Sequence, residues 1–187
     1  AVNEFRVLQM VRSIGVAVPT PYYLDQSCDI WPTPYLVLEY IEGQPHFALT
    51  NVTDAAIQIA QQLANIHRID GSTVDLSFLP QSRETFSERF GEQMSDAEPN
   101  SEKWPIAETL QAVWATIQRN RLTLLHGDFW PGNMLWRDGQ LVAVIDWEDA
   151  KLGNPLEDLA ISRFDLLFIY GLDTMNDFTR TYQAISP

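Results

Sequence analysis

The stretch from Leu124 to Glu148, LLHGDFWPGNMLWRDGQLVAVIDWE, constrains this chain more than any other. It sets three polar residues, Asp128, Asn133 and Asp146, beside apolar sequence, where an unpaired carboxylate or amide is costly. Leu122 to Leu125 reads as a short strand, and His126-Gly127-Asp128 as the turn that follows. Asn133 to Arg137 and Gln140 to Ile145 read as two more strands. Asp138-Gly139 between them is a pair that favours a type I′ hairpin. The hairpin brings the Asn133 end beside the Asp146 end, and Asp128 lies just before its first strand. The three groups are therefore expected to converge.

Two carboxylates and an amide at strand ends suit one kind of chemistry. Mg²⁺ is a hard cation that takes oxygen ligands and keeps water and substrate phosphate in its shell. Asn133 and Asp146 supply two such oxygens. Asp128 is then free to accept a proton from an attacking hydroxyl. Phosphoryl transfer needs these parts: a metal that neutralises phosphate charge and a base that positions the nucleophile. Glu148 lies two residues past Asp146, so in extended backbone it faces the same way and joins the metal set as a second ligand or substrate contact.

His126-Gly127-Asp128, four residues and then Asn133 resembles the catalytic loop of the protein-kinase-like fold. The Gly in second place and Ile145-Asp146-Trp147-Glu148 make it similar to the aminoglycoside phosphotransferase and choline kinase branch. Gly153-Asn154-Pro155 through Asp158-Leu159-Ala160 resembles that family's Gly-Asp-Pro…Asp-Leu-Ala segment, with Asn154 in place of the usual Asp. The resemblance implies an α+β fold: the remnant of a small β lobe over residues 1–43 and a mostly helical large lobe over 44–187, with a catalytic β-hairpin. It implies transfer of the γ-phosphate of ATP or GTP, with Mg²⁺, to a hydroxyl of a small molecule such as an aminoglycoside or choline. By position, the Glu39 carbonyl and Ile41 amide meet the base at the hinge, with Leu38 behind it and Leu135 and Ile145 packed against it. Asp158 becomes a buried structural residue bonded to the catalytic-loop backbone, and Glu4 the carboxylate of the small-lobe helix. The family also has a glycine-rich loop and a Lys upstream of residue 4, so the chain reads as N-terminally truncated, with its last helices incomplete. Alone it is expected to be inactive.

Charge and cysteine content narrow the partners. There are 12 basic and 25 acidic residues, a formal charge of −13, which argues against a nucleic-acid footprint. Cys28 is alone, so no internal disulfide forms, and a cytoplasmic location is expected. No apolar run approaches the length of a membrane span.

The remaining segments frame the central stretch. Asn3 is expected to cap a first helix that stops at Gly15. Tyr22 to Leu24 and Tyr35 to Tyr40 read as strands. Thr53 is expected to cap a helix with Ala56, Ile59, Ala60, Leu63 and Ile66 on its core face, and His67 at its end reads as a packing residue. Helices are expected over 82–94 and 105–122, with Trp104 and Trp114 as packing residues. Pro155 suits the first turn of a helix whose part from Ile161 to Tyr170 reads as buried on all sides, and Thr174 to Ile185 as the last helix.

Two other classes compete. A non-catalytic kinase-like domain that binds a ligand or partner suits the absent glycine loop and Lys, but not the intact Asp128, Asn133 and Asp146. A metal-dependent hydrolase would use the same carboxylates, but no histidines cluster with them.

Overall fold

The computed structural model describes residues 1–72, 74–82 and 121–186. Among these the chain is α+β, with four helices and three two-stranded antiparallel sheets. Helix α1 spans Val2–Ser13, with Val7, Leu8 and Val11 buried. Its first turn already contains Asn3, so the expected Asn3 cap is not formed. The stop is where the sequence puts it: Gly15 has φ +89°, a left-handed conformation open to glycine without a Cβ penalty.

Strands β1 (Pro21–Asp25) and β2 (Tyr35–Leu38) pair next. β2 is two residues shorter than expected, because the Glu39 N–H turns to the Thr20 carbonyl (2.8 Å) and closes the ladder. Helix α2 spans Val52–His67. Its cap is Asn51 rather than Thr53: the Asn51 side chain accepts a hydrogen bond from the Asp54 amide at 3.1 Å. The apolar stripe holds, with Ala56, Ile59, Ala60, Leu63 and Ile66 all buried.

Strand β3 (Thr123–Leu125) pairs with β6 (Lys151–Gly153), and β4 (Met134–Arg137) with β5 (Gln140–Val144). Asp138 and Gly139 at the β4–β5 turn both have positive φ (52° and 76°), as a type I′ turn requires. Helices α3 (Leu156–Tyr170) and α4 (Leu172–Ile185) complete the described chain. α4 packs against both α2 and α3 and buries Met175, Phe178 and Tyr182. α3 corrects one expectation. Its second half is not buried all round: Phe164 and Phe168 are 69% and 85% exposed, because α3 meets the core mainly through Asp158, Ser162 and Leu166. The expected helices over 82–94 and 105–122, with both tryptophans, lie almost wholly outside the described residues.

Phe178 has no exposed surface and sits in the core shared by α2 and α4. Phe178→Ala is expected to cost about 3–5 kcal/mol of unfolding free energy, measured by urea denaturation.

Candidate active site

The catalytic-loop region is built on the end of β3. The backbone turns there at Gly127, whose φ is +90°. A Cβ at this position would run into the Asp149 carbonyl, so both conformation and space demand glycine. His126 is fully buried. Its Nδ1 accepts from the Asp128 amide at 3.3 Å, so Nε2 carries the proton and donates to the Ile145 carbonyl at 3.0 Å. Burial pushes the His126 pKa down, which keeps the ring neutral and suits that tautomer. One imidazole thus ties the turn to the end of β5.

Asp128 and Asn133 are directly joined. The Asn133 Nδ2 donates to the Asp128 carboxylate at 2.9 Å and to its carbonyl at 3.0 Å. A 3-10 turn over Pro131–Asn133 makes that return possible. The Asn133 carbonyl in turn accepts from the Ile145 amide at 2.9 Å, one residue before Asp146. The convergence of Asp128, Asn133 and the Asp146 segment expected from the sequence is therefore present. Asp146 is exposed and has φ +65°, a left-handed conformation uncommon outside glycine. Glu148 is exposed too.

Glu4 joins this acidic face from α1. Burial raises its pKa first, against the pull of the chain's first amine; the negative charges of Asp146 and Glu148 raise it further. Its carboxyl therefore lies within the field of both. Among the described residues no group of three His, Cys, Asp or Glu side chains is arranged to hold a metal ion.

The expected nucleotide residues divide. Gln44 and Trp136 exchange backbone hydrogen bonds (3.2 and 3.0 Å), which lays the segment after β2 against β4. A Cβ on Gly43 would come within 3.1 Å of the Leu135 Cβ, so Leu135 lies beside this segment. Ile145 is half-buried and held through its backbone as above. Leu38 packs against the core while half-exposed, and Ile41 is half-exposed beyond the strand. The Glu39 side chain is engaged locally, where it accepts from the Thr20 amide at 2.9 Å and from the Thr20 hydroxyl. Those bonds, the hydroxyl's first, hold its carboxyl below the usual range.

Asp158, at the start of α3, has no exposed surface. Its Oδ2 accepts from the His126 amide at 2.8 Å and its Oδ1 from the Gly127 amide at 2.9 Å. The expectation that Asp158 is buried and bonded to the loop backbone holds. His67 Nε2 lies 3.3 Å from Oδ2, and His67 Nδ1 lies 2.7 Å from the Tyr182 hydroxyl. His67 is thus more than a packing residue. An imidazole at the inner end of an apolar stripe needs polar partners, and a buried Asp needs donors; that complementarity was the available signal. Sequence reasoning also passed over Ser162, whose hydroxyl donates to the Phe129 carbonyl at 2.7 Å, and Asp165. Burial and then the Asp128 charge raise the Asp165 pKa, which puts a second carboxylate within reach of the Asp128 field.

Residues 1–183 match the model of the Phosphotransferase enzyme family, APH. This chain belongs to that family. Family members among the solved structures share its fold. Aminoglycoside 2′-phosphotransferase-IIIa in its GDP complex superposes with TM-score 0.76 at 18% identity, over 97% of this chain and 65% of that one. An aminoglycoside-3′-phosphotransferase of type VIII gives 0.68 at 21% identity, over 98% and 72%. The fold is thus α+β and protein-kinase-like, as the motifs implied. Among curated proteins, acyl-CoA dehydrogenase family member 10 of Mus musculus is 29% identical over 179 residues, which is 86% of this chain and 16% of that protein. Acyl-CoA dehydrogenase family member 11 of Homo sapiens is 25% identical over 90% of this chain and 23% of its own length. The APH-family chain therefore spans about a fifth of the curated relatives it matches.

Asp158 yields a pH prediction. Burial opposes its ionisation, but hydrogen bonds and charge from His67, with His126 behind, win and hold its pKa below the usual carboxylate value. A depressed folded pKa contributes stability that is complete above the unfolded pKa of about 3.9 and is lost as pH falls through the folded value. Asp158→Asn is expected to lower stability at pH 7 by about 3–5 kcal/mol, since it strips one partner from a buried set. The gap from wild type should narrow towards low pH, as read by urea unfolding from pH 7 to pH 3.

Proposed function

We propose that this chain is the catalytic part of a small-molecule O-phosphotransferase that uses ATP or GTP with Mg²⁺. The observation that carries the reading is the Asn133–Asp128 side-chain bond at 2.9 Å, formed where the β4–β5 hairpin returns to Asp146. Asp128 is the base in this reading. The acceptor oxygen attacks the γ-phosphorus, the bond from that phosphorus to the β-phosphate bridging oxygen breaks, and the acceptor proton goes to the Asp128 carboxylate. The hydrogen bond from Asn133 holds that carboxylate in one orientation.

Asn133, Asp146 and Glu148 would hold the metal, which when bound neutralises phosphate charge. The donor set fits: it is all oxygen, and Asn133 spends its Nδ2 on Asp128, which leaves Oδ1 for a cation. Leu38, Glu39, Ile41, Leu135 and Ile145 line the nucleotide base in our reading. The closeness of Gly43 to Leu135 supports a cleft bounded by residues 1–43 on one side and 44–187 on the other. Solved neighbours in complex with GDP and with ATP support a purine nucleotide. The acidic surface disfavours nucleic acid, and among the described residues no helix is long and apolar enough to cross a membrane. We assign the activity to the cytoplasm, where a lone Cys28 stays reduced.

Two acceptor classes merit testing. Solved neighbours are complexes with the aminoglycosides kanamycin and gentamicin. The curated relatives are named as acyl-CoA dehydrogenase family members, which favours as a second class a hydroxyl carried on an acyl chain. A screen of full-length protein with both classes, ATP, GTP and Mg²⁺, read by nucleoside diphosphate formation, separates them. Phosphate release from a model ester with no nucleotide need would instead indicate a hydrolase.

With an accepted substrate, Asp128→Asn should lower kcat by about 10²–10⁴-fold and leave Mg²⁺-nucleotide affinity nearly intact. Turnover within a few-fold of wild type would remove Asp128 from the chemistry. Asp146→Asn should do the opposite to binding: calorimetry is expected to show weaker Mg²⁺-nucleotide affinity, with Asn133→Ala acting in the same direction and more weakly. Unchanged affinity in both variants would refute the metal assignment.

A further inference from the structure

Asp158 holds the catalytic loop, and what holds Asp158 reaches across to the last described helix. The carboxylate of Asp158 accepts from two loop amides and faces His67 Nε2 at 3.3 Å. An ionised carboxylate can only accept, so Nε2 must carry a proton. In the Nε2–H form of the ring, Nδ1 is the nitrogen that accepts. The Tyr182 hydroxyl stands 2.7 Å from Nδ1 and supplies the donor. Burial, first of all, pushes the Tyr182 pKa up, so the phenol keeps its proton. The two rings meet edge to face with centroids 5.7 Å apart, so ring packing also fixes the imidazole plane. His67, Asp158 and Tyr182 are 1%, 0% and 6% exposed, and His67 and Tyr182 border a cavity that Arg121 and Ser186 also line.

We propose that Tyr182 is a positioning residue for Asp128: its hydroxyl fixes the orientation of the His67 ring, His67 fixes Asp158, and Asp158 fixes the backbone that presents the base. The chain of bonds starts in α4, passes the end of α2 and the start of α3, and ends at His126 and Gly127, the two residues before Asp128. Without the Tyr182 hydroxyl, Nδ1 loses the side chain that now partners it. The Asp158 carboxylate still demands the Nε2–H form, but the ring is no longer held at its other edge and can tilt, which loosens an Nε2–Oδ2 contact already 3.3 Å long. The two loop amides would remain bonded to a carboxylate whose third partner is held more loosely and which is freer to shift. The docking of α4 thereby sets how firmly the base is held. This inference rests on the phosphotransferase reading only for its effect on turnover.

The test is Tyr182→Phe in the full-length protein, a change that keeps the ring and removes the one donor. Its first readout needs no substrate. Hydrogen exchange at the His126 and Gly127 amides is expected to speed up at least about tenfold, while the β5 amides keep their protection. Ring ¹⁵N shifts of His67 should keep the Nε2–H pattern in the same variant, with Nδ1 moving to the value of an acceptor that has lost its donor. With an accepted substrate, kcat should fall about tenfold with nucleotide KM little changed, as a small misplacement of the base predicts. Unchanged exchange at Gly127 overturns the proposal. So does equal acceleration at Gly127 and throughout β5, which would make Tyr182 a packing residue only. If wild type phosphorylates no acceptor, the phosphotransferase reading falls, while the exchange result still decides whether Tyr182 positions the loop.

Discussion

A carboxylate with no exposed surface, Asp158, is the interaction on which the site depends. Isolated burial of such a charge would be prohibitive, so its donors are not optional. Three of them converge on it: the amides of His126 and Gly127 and the imidazole of His67. Each donor belongs to a different demand of the fold. The amides exist only if the chain turns at Gly127 with positive φ, and the imidazole only if α2 ends beside α3. One ionised group therefore requires the catalytic turn, the α2 terminus and the α3 start to be in place together.

From that anchor the geometry passes outward through short bonds. His126 ties the turn to the Ile145 carbonyl, and the Asn133 carbonyl takes the Ile145 amide, so both faces of one peptide segment are held from the loop. Asp128 and Asp146 thus stand on two pieces of backbone that are fixed to each other before any substrate arrives. Such preorganisation suits phosphoryl transfer, where positioning and electrostatics supply most of the catalysis. The acidic face formed by Glu4, Asp146 and Glu148 gathers like charge, which the metal of the proposed reading would neutralise. The left-handed backbone at Asp146 is consistent with a residue placed for function at some conformational cost.

Helix α3 has two unlike faces. Its inner face supplies Asp158 and Ser162 to the loop, while Phe164 and Phe168 face outward. Helix hydrophobicity alone therefore misjudged its burial, since three inward residues suffice to dock it. The partial coverage of longer relatives by this chain agrees with a domain that works beside further sequence in those proteins.

Much of the site was written locally. The Asp138-Gly139 turn, the β4–β5 hairpin, the Gly127 turn and the approach of Asn133 to Asp128 all follow from residues close in sequence, where turn chemistry and strand alternation leave few options. Asp158 was legible too, through the resemblance of Gly153-Asn154-Pro155 to Asp158-Leu159-Ala160 to the family's segment. What only the tertiary structure decided are the partners from distant elements. Asn51 displaced Thr53 as the α2 cap because backbone geometry, not residue preference, chose between two competent side chains. Glu39 was claimed by Thr20 through a strand crossing. His67, read as a packing residue, and Tyr182, 115 residues away and not singled out in the sequence, became a hydrogen-bonded pair only when α2 packed on α4. Sequence periodicity reports which face of an element is buried. It does not report which buried polar groups will meet there, because that depends on how two helices dock, which no local pattern encodes.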